Sequence, residues 1–304
     1  MVYSLVNDLL VESSVDAVAK KEGNFLCIFT FKELEAITDK IMINNEVFLQ
    51  SIIGRTSKFG SYDGFDFISL IIPNLKNPAE VTKVAIFINR TTITFVCDTD
   101  RYILNKINDL ISGAKKCTSI YKSLYLFFDR LTEQDTYDLE KIEQEIENLE
   151  DGIIDNKTDQ YLHNILSIRK KLLKLKRYYE QFSSILEEME GNENEIFDKK
   201  TMKSIKIVKS RVTRLYQAVI NLKDYVSQVR EAYDAQIDIN QNRLMKIFTV
   251  ITTIFLPLTL VVGWYGMNVK MPEYDWTYGY LYVIIISIVL VWVSIYIIRK
   301  KKWF

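Results

Sequence analysis

The feature that most constrains this chain is a pair of uncharged apolar runs. Residues 247–265 (IFTVITTIFLPLTLVVGWY) give 19 positions without a charge, and residues 279–298 (GYLYVIIISIVLVWVSIYII) give 20. At about 1.5 Å of rise per residue, each run spans roughly 30 Å as a helix, the thickness of a bilayer's hydrocarbon core. The competing reading is two buried helices of a soluble domain. The second run, almost unbroken Ile, Val, Leu, Trp and Tyr, argues against it.

Flanking charges set the orientation. Lys246 precedes the first run, and Arg299, Lys300, Lys301 and Lys302 follow the second. The connection between them holds Lys270 against Glu273 and Asp275. The positive-inside rule then puts both termini in the cytoplasm and the loop outside, in a multi-pass protein of the cell's inner (plasma) membrane. Tyr265, Trp276, Tyr278, Tyr280 and Tyr282 fall where an aromatic belt would meet the outer interface. Lysine plus arginine equals aspartate plus glutamate at 39 each, so net charge gives no pull toward nucleic acid.

Residues 1–23 lack a basic segment followed by a long apolar core, so no cleavable signal is expected. Cys27, Cys97 and Cys117 show no metal-ligand spacing and read as free, mostly buried thiols of a cytoplasmic region. His163 is the single histidine and cannot build a histidine-based metal centre. No nucleophile–base pair or phosphate loop is visible, and the chain reads as no enzyme and as needing no cofactor.

Residues 1–130 read as a cytoplasmic α/β domain, with strands expected at 25–31, 67–72, 81–88 and 91–97, a turn at Asn89 and Arg90, and helix beginning near residue 103. From residue 130 to Pro257 there is no proline, and the only glycines are Gly152 and Gly191. That composition permits nearly continuous helix. Residues 131–198 read as an outer helical hairpin. Its residues 133–151 carry nine acids against Lys141, and residues 169–177 (RKKLLKLKR) carry six bases. With a bend at 152–158 these segments would lie side by side, either with opposite charges facing or as two solvated faces. A turn at Gly191 and Asn192 leads to a stalk helix, 199–246, continuing into the first membrane span, 247–265. The external loop is 266–278, the second span 279–298 and the basic cytoplasmic tail 299–304.

Along the stalk, Ile205, Val208, Val212, Leu215, Val219, Leu222, Val226, Val229 and Tyr233 recur in steps of three and four. This is a coiled-coil-like seam that must pack on other long helices, within the subunit or between subunits. A second stripe runs Asn242, Met245, Thr249, Thr252, Leu256, Thr259, Gly263 and Gly266. It aligns hydroxyls and small residues on one side of an otherwise lipid-compatible helix. Seven-residue steps backward reach Asp238, Glu231 and Asp224. Around a symmetry axis these positions would make acidic rings leading to an uncharged, partly polar passage. Two spans per chain cannot enclose a conduit, so a pore requires a cyclic oligomer of the chain itself within a lipid bilayer. The threonines also admit a plain reading, hydrogen bonding to carbonyls three or four residues back. Gly266, Met267 and Asn268 end the span, and the Asn268 amide oxygen suits the water bound to a hard cation. Mg²⁺ surrenders that water reluctantly. Asparagine in this place is also a common helix cap.

Residues 242–268 resemble the pore helix of the CorA-type magnesium and cobalt transporter family, whose hallmark is matched by Tyr265, Gly266, Met267 and Asn268. Met271, Pro272 and Glu273 resemble the family's loop motif, Lys300 to Phe304 its basic, aromatic ending, and residues 230–242 the end of its stalk helix. The resemblance implies a funnel-shaped homopentamer taking up Mg²⁺, and also Co²⁺ or Ni²⁺, down the electrochemical gradient. Gly266, Met267 and Asn268 would form the selectivity filter, with hydrated Mg²⁺ held by a ring of Asn268. Gly263, Thr259, Leu256, Thr252, Thr249, Met245 and Asn242 would line the pore, with Met245, Phe248 and Leu256 as its gate. Mg²⁺ would be the substrate and also a regulatory ligand between cytoplasmic domains. Two departures stand out. The family's usual acidic position on the stalk falls near Ile207, the nearest acid before it being Asp198, and Lys270 would weaken the negative field at the mouth. One alternative is a Zn²⁺ or other transition-metal transporter of the same fold, coupled to protons. Another is a membrane scaffold or metal sensor that conducts nothing.

Overall fold

In a computed structural model the described residues are 1–20, 23–37, 45–54, 56–74, 80–97, 119–154, 161–269 and 271–300. They separate into two compact units, Met1–Val229 and Arg230–Phe304.

The first unit is built on a seven-stranded sheet: β1 (Val2–Val6), β2 (Leu9–Glu12), β3 (Phe25–Thr30), β4 (Lys58–Tyr62), β5 (Phe65–Pro73), β6 (Val81–Asn89) and β7 (Thr92–Cys97). Their spatial order is β2-β1-β3-β7-β6-β5-β4. Every pair is antiparallel except β3 with β7, which runs parallel with Cys27 opposite Thr94. Four of these strands match the expected runs; β1 and the two edge strands, β2 and β4, lie outside them. Their residues are mostly half-buried or exposed, so they lack the dense apolar runs of β5 to β7. The β1–β2 turn places Asn7 and Asp8 at positive φ of 49° and 61°, the geometry that suits a tight two-residue hairpin.

Both faces of the central strands are covered, which is why they read as continuous rather than alternating apolar sequence. On one face Phe25, Cys27, Phe29, Phe67, Phe87 and Val96 pack with Val18 of α1 (Val15–Ala19), Leu34 of α2 (Phe31–Glu35) and Val47 and Phe48 of α3 (Asn45–Ile53). On the other face Phe95 meets Phe127 of α4 (Tyr121–Thr132) edge-on at 5.1 Å. Phe128 of the same helix meets Phe182 of α6 (Tyr161–Glu190) at 5.3 Å. Residues 98–118, including the expected helical start near 103 and Cys117, lie outside the described residues.

Helix α5 (Asp135–Ile154) and α6 form the hairpin. Gly152 does not break α5, which continues to Ile154. Burial of Ile153 offsets a helical glycine's cost, roughly 1 kcal/mol relative to alanine. The rest of the expected bend, 155–158, is outside the described residues. Lys171 pairs with Glu145 across the hairpin at 3.6 Å. Helix α7 then runs unbroken from Lys199 to Tyr265, 67 residues and about 100 Å. Its seam, Ile205 through Val229, is buried against its own subunit at every expected position, and Tyr233 is half-buried. At its other flank Arg211 reaches Asp129 at 2.7 Å and Thr132 Oγ1 at 3.2 Å.

The turn before α7 is pinned to the sheet. Asn194 donates through its amide to Tyr62 O at 2.7 Å, Asp66 Oδ1 at 2.8 Å and Ser61 Oγ at 2.9 Å. Phe197, buried, meets Tyr121 edge-on at 5.6 Å. Asp198 then caps the helix, accepting from Thr201 N at 2.8 Å. Cys27 and Cys97 are buried and form no disulfide among the described residues, and burial pushes the Cys27 thiol up to about 12, so it stays a protonated, inert packing group.

The second unit holds the end of α7, a short 3₁₀ turn at Pro272–Asp275 and α8 (Gly279–Lys300). Both helices are long and apolar enough to cross a membrane, and no residue of 247–265 is buried. A core helix of a soluble protein would be mostly buried. Val283, Ile286, Ser287, Leu290, Val291, Ser294 and Ile298 are less exposed than their neighbours and make one stripe on α8. Val250, Thr253, Ile254, Pro257, Leu258, Val261 and Tyr265 do the same on α7. Among the described residues of this unit, only the other helix is long enough to shield either stripe.

Candidate functional site

Shielding of one side of α7 leaves the polar stripe on an uncovered side. Asn242, Thr252, Thr259 and Gly263 are exposed and Thr249 is half-buried, while Met245 is 63% and Leu256 74% accessible. Phe248, 61% accessible, stands at the flank of this stripe rather than on its midline. Leaving large apolar and hydroxyl side chains on one open face is stable only if lipid or other chains cover it.

The threonines settle into back-bonding. Thr249 Oγ1 donates to Met245 O at 2.7 Å, Thr252 Oγ1 to Phe248 O at 2.9 Å and Thr259 Oγ1 to Phe255 O at 2.8 Å. The plain reading of these residues is therefore correct as far as the proton goes. It also has a chemical consequence. A hydroxyl whose hydrogen is held by its own helix turns its lone pairs outward, becoming an acceptor. Acceptors are what water around a cation requires.

Pro257 lies on the shielded side, at a position where it removes one helical N–H and leaves the Thr253 carbonyl without its usual donor. Gly263 and Gly266 are glycines for different reasons. A Cβ on Gly263 would meet nothing within 4 Å, so the subunit itself does not demand glycine there. A Cβ on Gly266 would lie 2.8 Å from the Val262 carbonyl oxygen, the same oxygen that accepts from Gly266 N at 2.8 Å. This close approach, invisible in the residue pattern, makes Gly266 the residue that closes the helix. Gly263, Leu256, Thr259, Leu260, Trp264 and Met267 border an open depression of about 720 Å³.

Met267 and Asn268 are exposed in the turn after the helix, and the Asn268 amide makes no hydrogen bond among the described residues. It is therefore not acting as a helix cap. Asp275 is exposed in the 3₁₀ turn; the side chain of Glu273 and all of Lys270 lie outside the described residues. Trp276 packs against Tyr282 with ring centres 5.7 Å apart, steadying the start of α8.

On the part of α7 that precedes residue 247, Asp224 is exposed in the first unit, and Glu231 and Asp238 are exposed in the second. Seven-residue steps pass over Asp234, four positions before Asp238, which is also exposed and pairs with Arg230 at 3.8 Å. Steps of three and four, applied to the acids as to the threonines, would have found it. Ile207 is exposed, and Asp198 is occupied as a cap, its carboxyl held below the usual range by hydrogen bonds from the Thr201 side chain and backbone. His163 is exposed on α6. Among the described residues no group of three or more histidine, cysteine, aspartate or glutamate side chains is placed to hold a metal ion.

The sequence profile of the CorA-like Mg2+ transporter protein family matches residues 30–300. The chain belongs to this family. CorA-family members are transporters rather than catalysts, and the two apolar helices fit a multi-pass membrane protein. The cobalt/magnesium transport protein CorA of Thermotoga maritima is 28% identical over 181 residues, covering 59% of this chain and 52% of that protein. The magnesium transport protein CorA of Wolinella succinogenes is 26% identical over 200 residues, covering 64% of this chain and 61% of that protein. The chain thus spans between about half and three fifths of these curated relatives. The solved CorA magnesium transporter of Methanocaldococcus jannaschii superposes with a TM-score of 0.80 at 20% identity, covering 92% of each chain, and shares the fold.

Proposed function

We propose that the chain is one subunit of a homopentameric membrane channel that admits hydrated divalent cations, Mg²⁺ foremost and Co²⁺ or Ni²⁺ with it. The observation that carries this reading is the uncovered stripe of back-bonded threonines and Gly263 on a membrane-length helix that ends in the uncommitted amide of Asn268. Relatives named for cobalt and magnesium transport support the substrate class.

The stripe has no charge to replace a hydration shell, and Mg²⁺ dehydrates reluctantly, so the ion passes with most of its water. Asn268 accepts from that water at the outer mouth, with Gly266 and Met267 shaping the ring. Thr259, Thr252 and Thr249 repeat the service inward. Met245, Phe248 and Leu256 narrow the way and gate it, since an apolar ring admits no hydrated ion without widening. The driving force comes from the membrane potential, about 2.3 kcal/mol per elementary charge per 100 mV and so about 4.6 for a divalent ion. Asp238, Glu231, Asp234 and Asp224 hold the ion's cytoplasmic exit at negative potential.

The test is purified full-length protein in liposomes, comparing Mg²⁺ entry under an inside-negative potential with Zn²⁺ movement under a pH gradient. Potential-driven Mg²⁺ entry that ignores the pH gradient is expected. Zn²⁺ flux that follows protons, with no Mg²⁺ entry, would replace this reading with the transition-metal one. No flux from a verified oligomer would favour a scaffold or sensor.

A further inference from the structure

The charge segregation along α5 and α6 is only partly consumed within the subunit. Lys171 meets Glu145, yet the side chains of Glu140 and Glu147 on α5 and of Arg169 and Arg177 on α6 make no ion pair or hydrogen bond among the described residues. On α6 these arginines belong to a second seam, Leu162, Leu166, Arg169, Leu173 and Arg177, mostly one position around the helix from the buried seam that begins at Tyr161, Ile165 and Ile168. Its three leucines are 52%, 43% and 46% accessible. A second heptad-like stripe with exposed leucines is the mark of a helix that packs on two sides. On α5 the exposed stripe is Tyr137, Glu140, Gln144, Glu147 and Asp151, again in steps of three and four.

The two stripes are in register. Helices α5 and α6 run antiparallel, with Glu145 level with Lys171 and with Asp135 accepting from Tyr179 Oη at 2.9 Å. On that scale Glu147 is level with Arg169, Gln144 with Leu173 and Glu140 with Arg177, each within about one residue's rise. Rotation about an axis parallel to the hairpin preserves height, so the same levels face each other between neighbouring copies of a ring.

We propose that α5 of one copy docks along α6 of the next, with the exposed leucines as the contact and the Glu147–Arg169 and Glu140–Arg177 pairs fixing its register. The surfaces differ, so the contact is head-to-tail and closes only as a ring. It rests on the oligomeric reading above and adds a cytoplasmic brace to it. Exposed ion pairs are individually weak, so the charges choose partner and register while the leucines supply most of the attraction.

Two differently tagged full-length chains, one carrying Gln144→Cys and the other Leu173→Cys, are co-expressed in membranes and treated with a short bismaleimide. The expected result is a mixed-tag dimer that neither cysteine gives alone. Adding Arg169→Glu and Arg177→Glu to the second chain should abolish the band. Adding Glu140→Lys and Glu147→Lys to the first should bring it back, which a folding defect would not allow. Native mass measurement on the same samples separates the failures. An intact oligomer without the mixed band overturns the α5–α6 contact alone, whereas a monomer overturns both this contact and the ring.

Discussion

At the scale of single residues, the two glycines of the span end make opposite predictions. Gly266→Ala forces a Cβ onto the Val262 carbonyl, a backbone atom that cannot swing aside, so the helix end must shift. We expect loss of cation flux from a protein that still inserts, because the proposed Asn268 ring would depend on that turn. Gly263→Ala meets nothing in its own subunit, so it should fold and assemble normally and reduce flux only by narrowing the passage; defective assembly of this variant would place Gly263 against a neighbouring helix instead. Asp198 gives a pH prediction. Its folded carboxyl titrates below the usual range, so its stabilisation is complete above about pH 4 and is lost as pH falls through the lower, folded value. Asp198→Asn, an equally good cap, should flatten that acid limb in thermal melts, whereas Asp198→Ala should cost roughly 1 kcal/mol at neutral pH.

Among the elements, the long helix was the most legible. Its length follows from the scarcity of proline and glycine, and its seam from steps of three and four that the structure buries from Ile205 to Val229. The central strands were legible for the same reason, since double coverage leaves a dense apolar run in the sequence. What escaped were features made by contacts distant in sequence. The edge strands β2 and β4 are short and have no buried residue. Asn194 looks like any loop asparagine, yet it holds the turn before α7 to the β4–β5 hairpin across more than 100 residues. Asp66 Oδ2 already has no hydrogen-bond partner among the described residues, although the residue is fully buried. Asn194→Ala removes a donor from Oδ1 as well and should destabilise the first unit by about 1–3 kcal/mol, seen as a lower melting midpoint. An unchanged midpoint would mean that the latch is not needed to seat α7.

For the whole molecule, the sequence stripe and the structure bear on different halves of the same problem. The pattern locates a polar side on α7, and the structure leaves that side uncovered while the opposite side is half-buried. The proposed acidic rings and threonine row would have no meaning in a single chain and would acquire it only around an axis. The proton of each threonine is held by its own helix, and under the proposed function this would make the row a ladder of acceptors for a hydrated ion. Asn268 stands at the head of that ladder. The decisive measurement is therefore Mg²⁺ entry into liposomes under an inside-negative potential, native chain beside Asn268→Ala at equal amounts of assembled protein. The account predicts entry with the native chain and its loss in the variant. Equal entry through both would contradict it, because the ion would then cross without the ring on which selection depends.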